Sequence, residues 1–329
     1  MRALNSFKKQ VLGLKKESFD TLALQIFKFQ ALNNQVYKKY LNYLSKDYTQ
    51  INSISQIPFL PIEFFKHQRI VSGNWNSQRT FLSSGTTSHN RSSHDIQDIQ
   101  FYHQLSSSIF EQNYSKISNT AILALLPSYL EQGQSSLVEM VSHFIKASKN
   151  KHSGFYLKNH VELIDKIKVL KSKYKDIVVF GVTYALLDLV EKQNLDFSGI
   201  TLIETGGMKG RREELSKKEV HQILTSKLNL RSIHSEYGMT ELLSQAYSKK
   251  DGIFEAPNSM RILIRDLNDP FLYLEHGKSG GVNIIDLANI HSCSFIETKD
   301  IGLKTDIDKF KILGRFDNSD LRGCNLLVN

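Results

Sequence analysis

Between residues 121 and 236, short apolar runs alternate with polar, helix-patterned segments. No other feature constrains the fold of this chain so strongly. AILALLP at 121–127 is an apolar run ended by a proline. IVVFGVTYALLDLV at 177–190 reads as a strand, a turn at Gly181 and a helix. GITLIETGG at 199–207 reads as a strand and a glycine turn, the charged run from Arg211 to about Leu228 as a helix, and LRSIHSE at 230–236 as the next strand. Such alternation implies a parallel sheet with helices on its faces, and ligands on such sheets sit at the carboxyl ends of the strands. Gly206–Gly207 and YGMTE at 237–241 both fall just after expected strands.

The flanks read differently. Residues 1–45 are expected to be helical, because Phe19, Leu22, Ile26 and Phe29 recur at three- and four-residue spacing. IPFLPIEFF at 57–65 carries Pro58 and Pro61 and reads as an extended connector, not a helix. TFLSSGTTSHNRSSH at 80–94 reads as a strand end followed by a polar loop. From about 257, RILIRDL, FLYLE, GGVNIIDL and FIETKDIGL are strand-like pieces separated by turns. The expected organisation is an α/β part over 1–256 and a β-rich subdomain over 257–329.

A chain of 329 residues can bury one large core or two modest ones. Its net charge of +9 comes from 42 basic and 33 acidic residues without a block of five like charges, which describes a lysine-rich solvated surface. That balance favours anionic ligands such as ATP. Zinc-finger spacing and RNP-like segments do not occur in the sequence, so nucleic acid is not an expected partner. Cys293 and Cys324 make no disulfide framework. The apolar stretches near 121–130 and 177–190 fall short of the ~20 residues of a spanning helix, and MRALNSFKKQ is followed by no apolar signal region. The expectation is a cytoplasmic protein without a membrane span.

SSGTT at 83–87 surrounds Gly85 with the hydroxyls of Ser83, Ser84, Thr86 and Thr87. Backbone N–H groups and hydroxyls around a glycine can cradle phosphate oxygens, although most Ser/Thr/Gly loops are only loops. In YGMTE, Tyr237 offers a plane for a base and Glu241 a carboxylate for magnesium. The same residues also fit a core tyrosine and a glutamate opening a helix that continues as LLSQAY. ETKDIG at 297–302 places Asp300 in a turn after a strand, where it could hold ribose hydroxyls or simply form the turn. GKSGG at 277–281 fits a serine-hydrolase pattern, but the strand GVNIID follows it, so it reads as a hairpin turn. His89, His94 and His103 form no strict ligand set and read as scattered surface histidines.

In order and spacing these segments resemble the adenylate-forming (acyl-adenylate ligase) superfamily. That family carries a Ser/Thr/Gly phosphate loop, YGxTE, a strand-end aspartate and a G-R-x-D hinge, which Gly314, Arg315 and Asp317 match here. More closely, PFLPIEFFK, FLSSGTTS, LPSYLEQGQSSL, GGMKGRREEL, EYGMTELLSQAY and ILGRFDNSDLRGCNLLV resemble the acyl-protein synthetases of bacterial luminescence systems.

The resemblance implies an adenylate-forming α/β core domain with a β-rich subdomain and without the usual lid domain. It implies that Ser83, Ser84, Gly85, Thr86 and Thr87 hold ATP phosphates and that Gly206 and Gly207 line the adenine pocket. Tyr237, with Gly238 after it, would lie on the adenine; Thr240 and Glu241 would face the phosphates and Mg2+; Asp300 would bind the ribose, and Arg315 would sit beside the nucleotide. The substrate would be a carboxylic acid, in the first instance a fatty acid.

Two departures accompany it. The phosphate loop continues Ser88, His89, Asn90, Arg91 in place of Gly-x-Pro-Lys, so Arg91 is expected to supply the cation. The chain ends about fourteen residues past Arg315, so the lid and its lysine are expected to be absent, with Lys209, Arg211, Arg212 or a partner protein replacing the lysine. In the acyl-protein synthetases a cysteine near the carboxyl terminus is acylated, and Cys324 matches it, with Arg322 nearby to favour the thiolate. Cys293 reads as core. The implied partner is an acyl-accepting protein (a reductase, carrier or transferase). A coenzyme A ligase and a non-catalytic nucleotide-binding subunit are the competing readings.

Overall fold

The computed structural model describes residues 2–84, 91–127, 133–157, 159–191, 194–206 and 215–316. Helices α1 (Arg2–Leu12), α2 (Phe19–Asn33) and α3 (Gln35–Tyr43) precede strand β1 (Leu60–Pro61) and the short helix α4 (Phe64–His67). A hairpin, β2 (Arg79–Leu82) and β3 (Ser93–Ile96), leads into α5 (Ile99–Asn113) and β4 (Ala121–Leu125). Then come α6 (Ser136–Ser148), β5 (Gly154–Phe155), α7 (His160–Lys171), β6 (Ile177–Val182), α8 (Thr183–Val190), β7 (Thr201–Thr205) and α9 (Lys217–Leu228). Strands β8 (His234–Tyr237), β9 (Ala246–Ser248), β10 (Phe254–Glu255), β11 (Met260–Arg265), β12 (Ser279–Asp286), β13 (Phe295–Lys304) and β14 (Lys309–Arg315) follow. The chain divides into two compact units, residues 74–257 and residues 1–73 with 258–329.

In the unit of residues 74–257, strands β5, β4, β6, β7 and β8 run parallel in that order, with β9 antiparallel to β8 and β10 antiparallel to β9. Every residue of β4 and β6 is buried, which is why both read as unbroken apolar runs and not as alternating ones. Phe110, Phe144, Phe180 and Tyr247 cluster in the core of this unit. The helices start where the sequence supplies a cap. Asp98, Ser135 and Asn159 accept from the N–H groups of Phe101, Val138 and Glu162, and Ser216 and Glu219 form a reciprocal capping box.

In the other unit β11, β12, β13 and β14 form an antiparallel meander, and β1 adds to β13 in parallel. Phe19, Leu22 and Ile26 of α2 are buried as their spacing predicts, while the half-buried Phe29 meets Phe7 edge-on at 5.7 Å. The Gln30 side chain reaches from α2 to residues 289–294. Its amide donates to Asn289 O at 2.9 Å and its oxygen accepts from Ser294 N at 2.9 Å. Asn34 ends α2 and caps α3 by accepting from Tyr37 N.

Several local expectations are corrected. The 1–45 segment is broken after Leu12 and at Asn34. Within 57–65 the connector closes into α4, because Pro61 lies ahead of the helix and removes none of its hydrogen bonds. Gly181 lies inside β6, paired with Glu204, and the helix begins directly at Thr183. A Cβ at Gly181 would stand 2.5 Å from Leu186 Cδ2, so the glycine provides close strand–helix packing and not a turn. FLYLE forms only an isolated bridge, Tyr273 to Arg265. Asp300 lies within β13, which continues to Lys304. LLSQAY forms no helix, and Ala246–Ser248 is strand β9.

Candidate active site

In the unit of residues 74–257 the structure brings several expected site residues to the carboxyl ends of β7 and β8. Gly206 follows β7 with φ +79, a backbone state that side chains with a Cβ rarely adopt. Thr183, at the start of α8, lies 2.9 Å from Gly206 O and 2.5 Å from Glu204 Oε1. Tyr237 ends β8, buried, with its ring 5.7 Å from that of Phe254. A Cβ at Gly238 would displace the carboxyl end of Glu236. Met239–Leu242 then turn, with Leu242 N donating to Met239 O at 3.1 Å, and the turn carries Thr240 and the buried Glu241.

The two ends of the segment expected to bind phosphate are also tied together. Ser83 N donates to Ser92 O at 3.0 Å, Ser92 N donates to Ser83 Oγ at 2.9 Å, and Arg91 Nε donates to Ser83 O at 2.5 Å. Ser84 is exposed. Gly85, Thr86, Thr87, Gly207, Lys209, Arg211, Arg212, Asp317 and Cys324 lie outside the described residues.

Two carboxyls without a motif of their own stand beside these residues. Burial pushes Glu204 up, but His221, Lys217 and Thr183 outweigh it and hold the carboxyl below its ordinary range. Lys217 Nζ is 3.5 Å and His221 Nε2 3.7 Å from Glu204 Oε2. Glu236 accepts from Thr205 Oγ1 at 2.6 Å, and burial pushes it up to about 7. Their signal in the sequence was only their position at strand ends.

The raised Glu236 carboxyl has a measurable consequence. In the unfolded chain a glutamate titrates near ~4.3. Between that value and about 7 the folded protein binds the extra proton, so stability falls as pH rises through this window. Glu236→Gln is expected to remove that fall, giving the variant a relative gain on the order of 2–3 kcal/mol from pH 5 to pH 8. Denaturant melts of both proteins at the two pH values check it, and a pH-independent difference would refute it.

Two of the three histidines expected on the surface are corrected, and His89 lies outside the described residues. His94 is 2% exposed, and burial pushes its imidazole down to about 4. Its Nδ1–H donates to Thr240 O at 2.9 Å. His103 bonds Glu139 at 2.9 Å and stacks on His143 with ring centroids 4.2 Å apart. The period-two burial of β3, with His94 and Ile96 inward, was the signal that could have found His94.

In the other unit, Asp300 and Arg315 are register partners of β13 and β14, and Arg315 Nε lies 3.8 Å from Asp300 Oδ1. The register shifts between Ile301 and Gly302, a bulge that re-aims the side chains beside it. Gly302 is required there, because a Cβ would stand 2.5 Å from Lys311 O. Cys293 is core, as expected, and burial pushes its thiol up to about 12, so it is no nucleophile at neutral pH. Among the described residues no group of three or more His, Cys, Asp or Glu is arranged to hold a metal ion, and no helix is long and apolar enough to cross a membrane.

No family model and no curated protein matches the sequence. Solved structures do match. An open conformation of 2-hydroxyisobutyryl-CoA ligase, in complex with 2-HIB-AMP and CoA, superposes with a TM-score of 0.67 at 12% identity, covering 94% of this chain and 70% of that one. ATP-bound MatB from Rhodopseudomonas palustris matches with a TM-score of 0.53 at 17% identity, over 72% of this chain and 47% of that one. O-succinylbenzoate coenzyme A synthetase (MenE) from Bacillus subtilis, in complex with AMP, matches with a TM-score of 0.53 at 16% identity, over 74% and 50%. The match spans about half the length of MatB or MenE. Parallel β4–β8 with their helices, together with these superpositions, show that the chain has the α/β fold of the adenylate-forming enzymes' N-terminal domain.

Proposed function

We propose that this protein activates a carboxylic acid, in the first instance a fatty acid, with ATP and transfers the acyl group to Cys324 and then to a partner protein. The observation that carries the reading is the placement of Gly206 and the Tyr237–Glu241 segment at the carboxyl ends of the adjacent parallel strands β7 and β8. Ligands bind there in open α/β sheets, and solved structures of the same fold contain ATP or AMP.

In this reading the acid's carboxylate oxygen attacks the α-phosphorus of ATP. A P–O bond forms, the bond to the β-phosphate bridge breaks, and pyrophosphate leaves. Ser83, Ser84 and Thr86, with the backbone of Gly85 and Thr87, donate to phosphate oxygens as charge develops on them. Gly206 and Gly207 give the adenine backbone-close walls, and Tyr237 and Gly238 form its face. Asp300 accepts from the ribose hydroxyls with Arg315 beside it.

Glu241 and Thr240 would hold Mg2+ against the phosphates. A single buried carboxylate fits this role, because Mg2+ takes its remaining ligands from phosphate and water. When bound, the ion neutralises phosphate charge. The Cys324 thiol loses its proton to solvent, and the thiolate then attacks the acyl carbonyl: a C–S bond forms, the C–O bond to AMP breaks, and AMP leaves.

Intact-protein mass spectrometry after incubation with Mg-ATP and a panel of acids tests the reading. The expected result is a mass gain of one acid minus water, labile to hydroxylamine and absent from Cys324→Ser. Absence of any adduct, with AMP released only when coenzyme A is added, would replace it with a coenzyme A ligase. Binding of ATP without AMP release or pyrophosphate exchange under any condition would leave a nucleotide-binding subunit.

A further inference from the structure

His94 is placed between the two motif segments of the proposed nucleotide site, and nothing in the motifs themselves accounts for it. β2 and β3 are the two stems of the segment that enters at Ser83 and returns at Arg91, paired Phe81 to His94 and Leu82 to Ser93. The stems are tied at their ends by the Ser83–Ser92 bonds and by Arg91 on Ser83 O. From β3 the His94 ring reaches across 146 residues of sequence to the carbonyl of Thr240. That carbonyl belongs to the turn that presents Glu241.

A carbonyl oxygen accepts only, so the bond fixes the tautomer, with the proton on Nδ1. The bond satisfies the buried donor of the ring and the carbonyl of Thr240 together.

We propose that His94 is a positioning residue whose Nδ1–H bond to Thr240 ties the paired ends of β2 and β3, at Ser83 and Arg91, to the Thr240–Glu241 turn, setting the spacing between these two residues and the Glu241 carboxylate. The proposal rests on the nucleotide-binding reading given above. Displacing a binding group by about 1 Å can cost on the order of 100-fold in rate. Loss of the bond therefore acts on ATP and on the adenylation step, not on the acid.

The test compares wild type, His94→Leu and His94→Asn in the full chain, using pyrophosphate–ATP exchange with the acid panel. Asparagine keeps an N–H donor near the position of Nδ1, and leucine removes it. His94→Leu is expected to raise KM for ATP and lower exchange by roughly 10- to 100-fold with KM for the acid unchanged, and His94→Asn to recover most of both. Equal losses in the two variants with unchanged KM for ATP would reduce His94 to a packing residue.

Amide hydrogen exchange without nucleotide separates the coupling from the catalytic reading. Faster exchange at 239–242 and 91–93 in His94→Leu, restored in His94→Asn, supports the coupling even if the wild type activates no acid. Unchanged exchange there overturns it. Should His94→Leu not fold, imidazole 15N shifts of the wild type decide: a proton on Nδ1 is expected, and a proton on Nε2 alone overturns the proposal.

Discussion

Phe295→Ala is expected to destabilise the protein by about 3–5 kcal/mol, the range found for removing a buried aromatic ring. Phe295 is fully buried at the start of β13. Its ring centroid lies 5.7 Å from Phe27, 6.2 Å from Phe59 and 6.3 Å from Tyr37. The first two contacts are edge-on and the third is stacked, so alanine leaves a cavity lined by rings that are themselves held in place. Tyr37 cannot swing in to fill it, because its hydroxyl donates to Pro58 O at 2.5 Å. Urea denaturation of the variant beside Phe271→Ala measures the effect. Phe271 is 47% exposed under Lys46, and its truncation is expected to stay within about 0.5 kcal/mol. Equal midpoints for the two variants would mean that the cluster collapses on the missing ring.

On the proposed function, Glu241→Gln is expected to lower pyrophosphate–ATP exchange by about 100- to 1000-fold, the loss seen when one preorganised electrostatic group is removed from a reaction site. The substitution keeps the shape of a side chain that is 5% exposed and removes its charge and one acceptor oxygen. The turn that carries it is closed by Leu242 N on Met239 O and tied to β3 through Thr240 O, so the backbone has little reason to move. The same variant should require a higher Mg2+ concentration for half-maximal exchange. Thermal melts establish that the fold is kept. Near-normal exchange at ordinary Mg2+ would remove Glu241 from the metal role and make it a glutamate that only packs within a tight turn.

Much of the architecture was legible because burial on both faces writes itself plainly. β4 and β6 are runs of apolar residues, and their amphipathic neighbours follow at helix spacing. Gly206 was legible as a turn because a positive φ after a strand selects glycine. Gly181 misled for the same reason: a glycine required by the approach of Leu186 looks in sequence like one required by a turn. Asp300 misled because Asp–x–Gly suits turns, whereas here the glycine serves a bulge within a strand that continues.

By itself the sequence determined the α/β class, the order of strands β4, β6, β7 and β8 with helices α8 and α9, and the positions of Gly206 and YGMTE at strand ends. These follow from local periodicity and from the conformational limits of single residues. Only the tertiary structure decided which distant segments meet. β1 pairs with β13, Gln30 holds Asn289 and Ser294, and His94 holds Thr240. The ionisation of Glu236 and His94 was decided there as well. Pairing across such separations leaves no periodic trace, and a pKa is set by the desolvation and neighbours that a side chain acquires when the chain folds.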